Sequence, residues 1–407
     1  MYPLLNGLRI VECASFIAAP SCALHLRQMG AEVIRIDPIG GGPDFKRWPL
    51  STQGHSYYWE GLNKGKRSIA VDFARPEGRQ LVTELVTAPG ADAGILVTNF
   101  PHDGFLAHQR LAARRADLIS VRVMGWRDGG SAVDYTVNAG IGVPWMTGSE
   151  ANGDEPVNHV LPAWDLLTGA HAAFALLAAE RDRNRSGRGH EVTLALSDVA
   201  LASLGHMGQI AEVLAGGDRP RYGNALFGAF GRDFASADGA RLMVVAITRR
   251  QWTGLLQALQ LGAPVAALEA QLGLSPTHGF ERDEGLRFVH REALFPLFEQ
   301  AIGARPLQEL RAAFDQHGVC WNEYRTLSQA LQHDPRLALA SALFSELDHP
   351  SGERYPAPGA AAEFAGQPRR PVERAPRLGE HTDEVLARVL GCSATRIGEL
   401  HDAGLVA

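Results

Sequence analysis

Runs of aliphatic residues alternate with helical runs along the first half of the chain, and this alternation constrains the fold more than any other feature. Six of these runs predict strands: residues 8–12, 32–36, 68–71, 94–98, 118–123 and 192–198. Helical patterns stand among or after them, at residues 20–29, 76–87 and 168–183. Strands that alternate with helices predict a mostly parallel sheet with helices on both faces. The fold class is therefore α/β, and ligands should bind beyond the carboxyl ends of the strands.

The second half of the chain has a different pattern. A helix is predicted at residues 199–215, and a hairpin at 227–247 with its turn at 237–240. Further helices are predicted at residues 252–261, 285–302, 306–317 and 382–390. We predict a large α/β domain at residues 1–200, a linker at 201–222, a smaller α+β domain at 223–364 and a C-terminal segment at 365–407.

Composition excludes several classes of protein. A net charge of −6 over 407 residues argues against a nucleic-acid partner. The four cysteines show no ligand-like spacing, so we expect neither a metal site nor disulfides. No apolar run approaches the length of a membrane span, and no export signal opens the chain. We therefore expect a cytoplasmic protein without a membrane partner.

Asp165 stands at the start of the helical run 168–183 and is the first candidate for chemistry. An acid at this point can cap the helix by accepting free backbone N–H groups. The helix dipole should keep the carboxylate ionised, and an ionised carboxylate can attack an acyl carbon. On the local sequence alone, a cap is the commoner role of such a residue.

Several blocks occur in a fixed order around Asp165. They are LNGLRIVE at residues 5–12, AAP at 18–20, GAEVIRID at 30–37, NKGKRSIAVD at 63–72, NF at 99–100 and PRLGEHTDEVL at 376–386. Together they resemble the family III CoA-transferases, over nearly the whole chain. The resemblance implies a Rossmann-like, CoA-binding large domain to which the C-terminal segment returns. It also implies a homodimer of two interlocked chains.

Further blocks resemble those members of the family that move CoA within one branched C4 dicarboxylate. They are DPIGGG at residues 37–42, DFKRWP at 44–49, VDYTVN at 133–138, VNHVLPAWD at 157–165 and the stretch from GN at 223–224 to GRDF at 231–234. The implied activity is CoA transfer between the C1 and C4 carboxyls of mesaconate. No metal or redox cofactor is implied, since CoA enters and leaves as part of the acyl-CoA substrate. The implied pathway is glyoxylate assimilation in the 3-hydroxypropionate cycle.

The resemblance also implies roles for individual residues. Asp165 becomes the nucleophile, which passes through an aspartyl anhydride and an aspartyl-CoA thioester. The candidates for binding the CoA portion are Arg47, Lys64, Lys66, Arg67, Asn99 and Phe100. Gly228 and Gly231 are candidates for a glycine-bearing loop that covers the site and supplies oxyanion donors. The candidates for the substrate's second carboxylate are Tyr135, Asn138, His159, Arg47 and Arg232.

Four rival functions remain open on the sequence. The nearest is an intermolecular CoA-transferase that uses a dicarboxylic acid such as succinate or mesaconate, with the same nucleophile. An α-methylacyl-CoA racemase needs two acid/base groups, yet Val133 stands where racemases of the family carry a histidine. A non-catalytic acyl-CoA-binding protein would tolerate loss of Asp165. A nicotinamide-dependent dehydrogenase is disfavoured because residues 18–20 replace the expected GxGxxG motif.

Overall fold

A computed structural model describes residues 1–275 and 277–407 of the chain, which form two units. The larger unit comprises Met1–Ile141, Val160–Gly216 and Leu339–Ala407, and the smaller comprises Gly142–His159 and Gly217–Ala338. These units differ from the predicted domains at three places. The predicted linker at 201–222 is divided, with residues 201–216 in the larger unit and 217–222 in the smaller. Residues 142–159 lie in the smaller unit, and residues 339–364 lie in the larger one.

The strands and helices of the described residues are numbered separately in chain order. The strands are β1 (Arg9–Cys13), β2 (Glu32–Asp37), β3 (Arg67–Ala70), β4 (Ile95–Thr98), β5 (Ile119–Met124), β6 (His190–Ala195), β7 (Phe230–Ala235), β8 (Arg241–Ala246), β9 (Cys320–Glu323), β10 (Phe344–Asp348) and β11 (Arg354–Pro358). The helices are α1 (Ala18–Gln28), α2 (Tyr57–Leu62), α3 (Pro76–Thr87), α4 (His108–Ala112), α5 (Asp134–Gly140), α6 (Val143–Met146), α7 (Ala163–Ser186), α8 (Leu196–His206), α9 (Gln209–Gly216), α10 (Arg249–Leu259), α11 (Gly262–Gln271), α12 (Glu284–Val289), α13 (Arg291–Gly303), α14 (Leu307–His317), α15 (Leu327–His333), α16 (Thr382–Leu390) and α17 (Ala394–Asp402).

The larger unit is built on a six-stranded parallel sheet in the order β3-β2-β1-β4-β5-β6. Its central strands are buried along almost their whole length, as their aliphatic sequences require when helices cover both faces. The predicted α/β class with a parallel sheet is confirmed. The strand order reverses between β1 and β4, which is where open α/β sheets form a ligand crevice beyond the strand ends.

Helix α7 lies against α1 at a glycine. A side chain at Gly169 would place its Cβ 1.9 Å from Ser21 Oγ and 2.7 Å from the carbonyl oxygen of Ala18. The absence of a Cβ therefore permits the close packing of these two helices. At its other end α7 stops at Gly187, which adopts a left-handed conformation and donates its N–H to the carbonyl of Arg183.

The C-terminal residues lie along β3 on the larger unit. The backbone N–H of Ala407 donates to the carbonyl of Ala70 at 3.1 Å, and that of His381 donates to Ser68 at 2.9 Å. Thr382 Oγ1 donates to the Ala407 carbonyl at 2.7 Å. Helices α16 and α17 thereby extend the core that β1, β2 and β3 share with α3.

The smaller unit contains the antiparallel sheet β7-β8-β9. Its first two strands form the predicted hairpin, with Gly239 at a positive φ in the turn. Phe230, Trp252 and Phe298 pack together in the centre of its core. The third strand, β9, was not predicted.

Three predicted elements differ from the structure. The sixth strand ends at Ala195, so that Leu196, Ser197 and Asp198 begin helix α8 rather than complete β6. The helix predicted at 199–215 is divided into α8 and α9, because Gly208 between them has a positive φ. The helix predicted at 285–302 is likewise divided, at His290. Within residues 1–275 and 277–407, we find no helix of the length and apolarity that a membrane crossing requires.

Candidate active site

Asp165 is the third residue of α7 and does not cap it. The acceptor for the free N–H groups is the carboxylate of Asp134, which begins α5. Its Oδ2 atom accepts from the N–H of Trp164 at 2.7 Å and from that of Asp165 at 3.1 Å. The expectation that Asp165 caps the helix is therefore wrong. The Asp165 side chain is not needed to satisfy the free N–H groups at the start of α7.

The surroundings of Asp165 disfavour a negative charge. The residue is half-buried, and this burial together with the charge of Asp134 raises the pKa of its carboxyl to about 7. The charge of Arg47 opposes this rise. Burial and a like charge thus act against the ionised form that the helix dipole was expected to favour. A carboxylate with little solvation is a stronger nucleophile, and a pKa near neutrality is typical of a reactive group.

Arg47 lies beside two aromatic rings. Its Cζ atom is 5.6 Å from the centre of the Phe16 ring and 5.5 Å from that of the Tyr58 ring, within the range of a cation–π contact. Phe16 has a positive φ of 70°, and its N–H donates to Asp44 Oδ2 at 3.2 Å. Burial raises the pKa of the Tyr58 phenol, Arg47 opposes that rise, and the charge of Asp165 adds to it. These contacts place Arg47 beside Phe16 and Tyr58, and the charges of Arg47 and Asp165 both act on the Tyr58 phenol.

A second group of charges, the buried ion cluster, comprises Glu12, Arg35, Asp37, Asp44 and Lys66. Arg35 contacts its three carboxylates at 3.1, 2.9 and 3.0 Å, and Lys66 Nζ lies 2.7 Å from Glu12. All five side chains are almost completely buried. Lys66 also donates to the carbonyl of Pro20 and to Asn63 Oδ1. This lysine, predicted to bind a CoA phosphate, is occupied by partners within the protein.

The other predicted basic residues do not join one patch. Lys64 is buried, and burial with the nearby charge of Lys66 lowers the pKa of its ammonium to about 8. Arg67 begins β3, at the amino edge of the sheet, and lies 3.8 Å from Glu384. Only Arg47, of these candidates, acts on Asp165. Roles for Lys64 and Arg67 with CoA stay predictions.

Asn99 joins the ends of the two strands at which the sheet order reverses. Its Oδ1 accepts from the N–H of Ser15 at 3.2 Å, and its Nδ2 donates to the Ser15 carbonyl at 3.0 Å. Phe100 is half-buried, with its ring 5.7 Å from that of Phe73. The guanidinium of Arg122 donates to the carbonyls of Phe100 and Leu106. Asn99 therefore shapes the crevice between β1 and β4, and its contact with CoA stays a prediction.

Two candidates for the second carboxylate are engaged elsewhere in the larger unit. Asn138 is fully buried and accepts from Trp164 Nε1 at 3.0 Å, so that it supports the first turn of α7. The hydroxyl of Tyr135 donates to the carbonyl of Val160 at 3.0 Å.

The remaining candidates belong to the smaller unit. Arg232 pairs with Glu299 at 2.7 Å, and His159 is half-buried. Gly228 has a positive φ and space around it. Gly231 lies within β7 rather than in a loop, and a Cβ there would lie 3.2 Å from the carbonyl of Val244. Packing therefore explains Gly231 without an oxyanion role.

Sequence reasoning missed Asp134 as the cap of α7, and it missed Phe16 and Tyr58 altogether. The acid at the start of block 133–138 was a visible signal, since acids are common in the first turn of a helix. Nothing in the sequence indicates that it reaches a helix thirty-one residues later. Phe16 and Tyr58 carry no local signal, because single aromatic residues are more often part of a core.

Comparison with known proteins identifies the family. The model of CoA-transferase family III matches residues 5–382. The chain belongs to this family. It is 51% identical over 409 residues to 2-methylfumaryl-CoA isomerase of Chloroflexus aurantiacus, covering 100% of this chain and 98% of that protein. It is also 28% identical over 403 residues to succinyl-CoA–D-citramalate CoA-transferase of the same organism, covering 95% and 94% of the two chains.

The fold agrees with a solved structure of the same kind. The crystal structure of a CAIB/BAIF family protein from Brucella suis superposes with a TM-score of 0.76 and 25% identity, covering 96% of this chain and all of that one. The predicted resemblance to the family III CoA-transferases is therefore confirmed.

Proposed function

We propose that the protein converts 2-methylfumaryl-CoA into 3-methylfumaryl-CoA by moving CoA between the two carboxyls of one mesaconate. The observation that carries this proposal is the 51% identity, over the full length of both chains, to an enzyme of that name. The structure adds a carboxyl with a raised pKa, Asp165, on which the charge of Arg47 acts.

In the first half of the reaction, the Asp165 carboxylate attacks the C1 carbonyl of the thioester. A tetrahedral oxyanion forms, the carbon–sulfur bond breaks, and CoA thiolate leaves a mixed anhydride between Asp165 and mesaconate. The thiolate then attacks the carbonyl carbon of Asp165. This step breaks the anhydride, forms an aspartyl-CoA thioester and releases mesaconate as a dianion.

In the second half, the mesaconate turns and its C4 carboxylate attacks the aspartyl thioester. Thiolate leaves again, and an anhydride forms through C4. Attack of the thiolate on the C4 carbonyl gives 3-methylfumaryl-CoA and restores the Asp165 carboxylate. No proton or electron is gained or lost over the cycle, so the chemistry needs no redox cofactor.

The site suits this sequence of steps in two ways. The Asp134 carboxylate holds the backbone N–H of Asp165. The Asp165 carboxylate is therefore not required as the cap of α7 and can react without loss of that contact. Its half-buried position limits access of water, which would hydrolyse the anhydride.

A second candidate is an intermolecular transferase that passes CoA from one dicarboxylic acid to another. The 28% identity to a succinyl-CoA–D-citramalate CoA-transferase favours it over a racemase or a non-catalytic binding protein, and Asp165 would play the same part. A racemase lacks support because the position before Asp134 holds the exposed Val133, which cannot transfer a proton.

The test is incubation of the purified protein with mesaconyl-C1-CoA alone, followed by chromatography and mass spectrometry. We expect the C4 thioester to appear at unchanged mass without any added acid. Product that forms only after succinate or mesaconate is supplied would support the intermolecular transferase instead. The homodimer, the cytoplasmic location and the glyoxylate-assimilation pathway stay predictions from the resemblance.

A further inference from the structure

A reaction that moves CoA within one dicarboxylate makes a demand that ordinary acyl transfer does not. One carboxylate of the substrate stays free throughout, and midway both are ionised while the molecule is detached. Two negative charges must then remain beside the Asp134 carboxylate, and like charges at such distances repel. A retained dianion needs a cation that the protein has not already neutralised.

Most cations of the larger unit cannot serve, because they have partners within the protein. Arg35 and Lys66 are saturated by the carboxylates of the buried ion cluster. Arg122 is directed at backbone carbonyls of the loop after β4.

Arg47 is in a different state. Its side chain is exposed, and within residues 1–275 and 277–407 its guanidinium makes no hydrogen bond or ion pair. Its backbone is fixed, since its N–H donates to the carbonyl of Asp44 and its own carbonyl accepts from Ser56 Oγ. The rings of Phe16 and Tyr58 lie 5.6 and 5.5 Å from its Cζ atom.

This arrangement leaves the donors of Arg47 available to a carboxylate. Aromatic rings interact with the face of a guanidinium, whereas its N–H groups lie along the edge of the plane. Two parallel N–H groups match the two oxygens of a carboxylate. The aromatic contacts also reduce the freedom of the side chain before the ligand arrives, which lowers the entropic cost of binding.

We infer that Arg47 binds the free carboxylate of the substrate and retains the detached mesaconate dianion until its other carboxylate attacks. The inference rests on the proposed function and assigns to Arg47 both the preference for a dicarboxylate and the intramolecular course of the transfer. The sequence left two roles open for Arg47, binding the CoA portion and binding the second carboxylate, and the inference selects the second.

The experiment compares wild-type protein with Arg47→Gln, Arg47→Lys and a charge-matched control, Arg188→Gln. Arg188 is an exposed residue in the turn between α7 and β6, at the amino edge of the sheet. Each protein receives mesaconyl-C1-CoA together with ¹³C-labelled free mesaconate. The C4 thioester is then weighed by mass spectrometry for label, and KM and kcat are measured in the same assay.

We expect wild-type protein and Arg188→Gln to give unlabelled product. For Arg47→Gln we expect KM to rise roughly 10- to 100-fold, the effect of one lost charged contact. Label should also enter its product, because the unlabelled dianion escapes and labelled mesaconate takes its place. Arg47→Lys should lie between these results, since an ammonium supplies the charge without the paired donors.

Wild-type KM and unlabelled product in Arg47→Gln would overturn the inference. A misfolded variant cannot explain label in the product, because incorporation requires the aspartyl thioester to form. If wild-type protein transfers no CoA without an added acid, the proposed function fails instead. In that case, the role of Arg47 is tested by measuring the KM for mesaconate and the KM for a monocarboxylic acceptor in wild-type protein and in Arg47→Gln. If the substitution raises both KM values equally, the inference is overturned.

Discussion

Two groups of charges in the larger unit are in opposite states. In the buried ion cluster, burial opposes the charge of Arg35, yet the carboxylates of Asp37, Glu12 and Asp44 together raise the pKa of its guanidinium above the usual range. Around Asp165, burial and the charge of Asp134 raise the pKa of the carboxyl, and the charge of Arg47 opposes that rise. The first group is matched in the sense that each of its charges has an oppositely charged partner within 3.1 Å, whereas the Arg47 guanidinium has no such partner among residues 1–275 and 277–407.

The difference separates structural charges from reactive ones. A matched cluster stabilises the fold only as a whole, because each charge depends on the others for its place in the interior. The Asp165 carboxyl has a raised pKa and limited solvation, so that it can attack a thioester. The consequence is that substitutions in the first group should affect stability, and substitutions in the second should affect turnover.

The largest expected effect is that of Asp165→Asn on turnover. The amide keeps the size of the side chain but cannot form the anhydride, so that turnover should fall by at least about 10⁴-fold. The check is a discontinuous assay of C4 thioester formation, with binding of the CoA ester measured by calorimetry as the control. Turnover close to wild type would show that the nucleophile is another residue.

Arg35→Met should have the largest effect on stability. Three buried carboxylates lose their common cation, which should lower the free energy of unfolding by about 3–5 kcal/mol. Urea denaturation followed by circular dichroism measures the change. As a control, Arg188→Gln removes the same charge from the surface and should change the free energy by less than about 0.5 kcal/mol. Equal midpoints for the two variants would contradict the distinction drawn between the charge groups.

Asp134→Asn tests directly how much the charge of Asp134 raises the pKa of Asp165. The amide oxygen can still accept from the N–H groups of Trp164 and Asp165, but the negative charge is lost. In wild-type protein, kcat/KM should rise with pH through about 7, because the attacking carboxylate must be ionised. In the variant this limb should move to lower pH by about one unit. If kcat/KM of the variant rises over the same pH range as that of the wild-type protein, burial alone raises the pKa of Asp165.

The smallest effect concerns stability as a function of pH. The folded-state pKa of Asp165 is raised to about 7, above its ordinary value of 3.8. Its contribution to stability is therefore fully present below that ordinary value and is lost as the pH rises through 7. Asp165→Asn should melt close to wild type near pH 4 and higher by roughly 2 °C or more at pH 8. Calorimetry at the two pH values measures this, and a constant difference would rule out a raised pKa.

The sequence predicted the parallel sheet well, because each strand is a short aliphatic run bounded by loop residues. It predicted α8 and α9 as one helix because the apolar pattern continues across Gly208, and a glycine within a helical pattern is weak evidence of a break. It missed the β10–β11 hairpin because prolines at 356 and 358 are untypical of strands, although an edge strand tolerates them.

For the site, the ordered blocks identified Asp165 but not its surroundings. The basic residues of 63–67 read as one phosphate-binding cluster, since a sequence cannot show that Lys66 pairs with an acid fifty-four residues earlier. The same limit applies to Arg47, whose aromatic neighbours come from the loop after β1 and from α2. Only the folded chain shows that Lys66 is held by partners while the Arg47 guanidinium has none among residues 1–275 and 277–407.

The contact at Gly169 has a consequence for redesign. Because the position of α7 on α1 depends on a missing side chain, even the single methyl group of alanine would displace the helix and move Asp165 with it. A library that seeks new diacid substrates can vary Lys46 and Trp48, the exposed residues on either side of Arg47 in the chain. Residue 169 should be held constant in such a library. A substitution there would change the position of the Asp165 carboxylate even if every residue that contacts the substrate stayed the same.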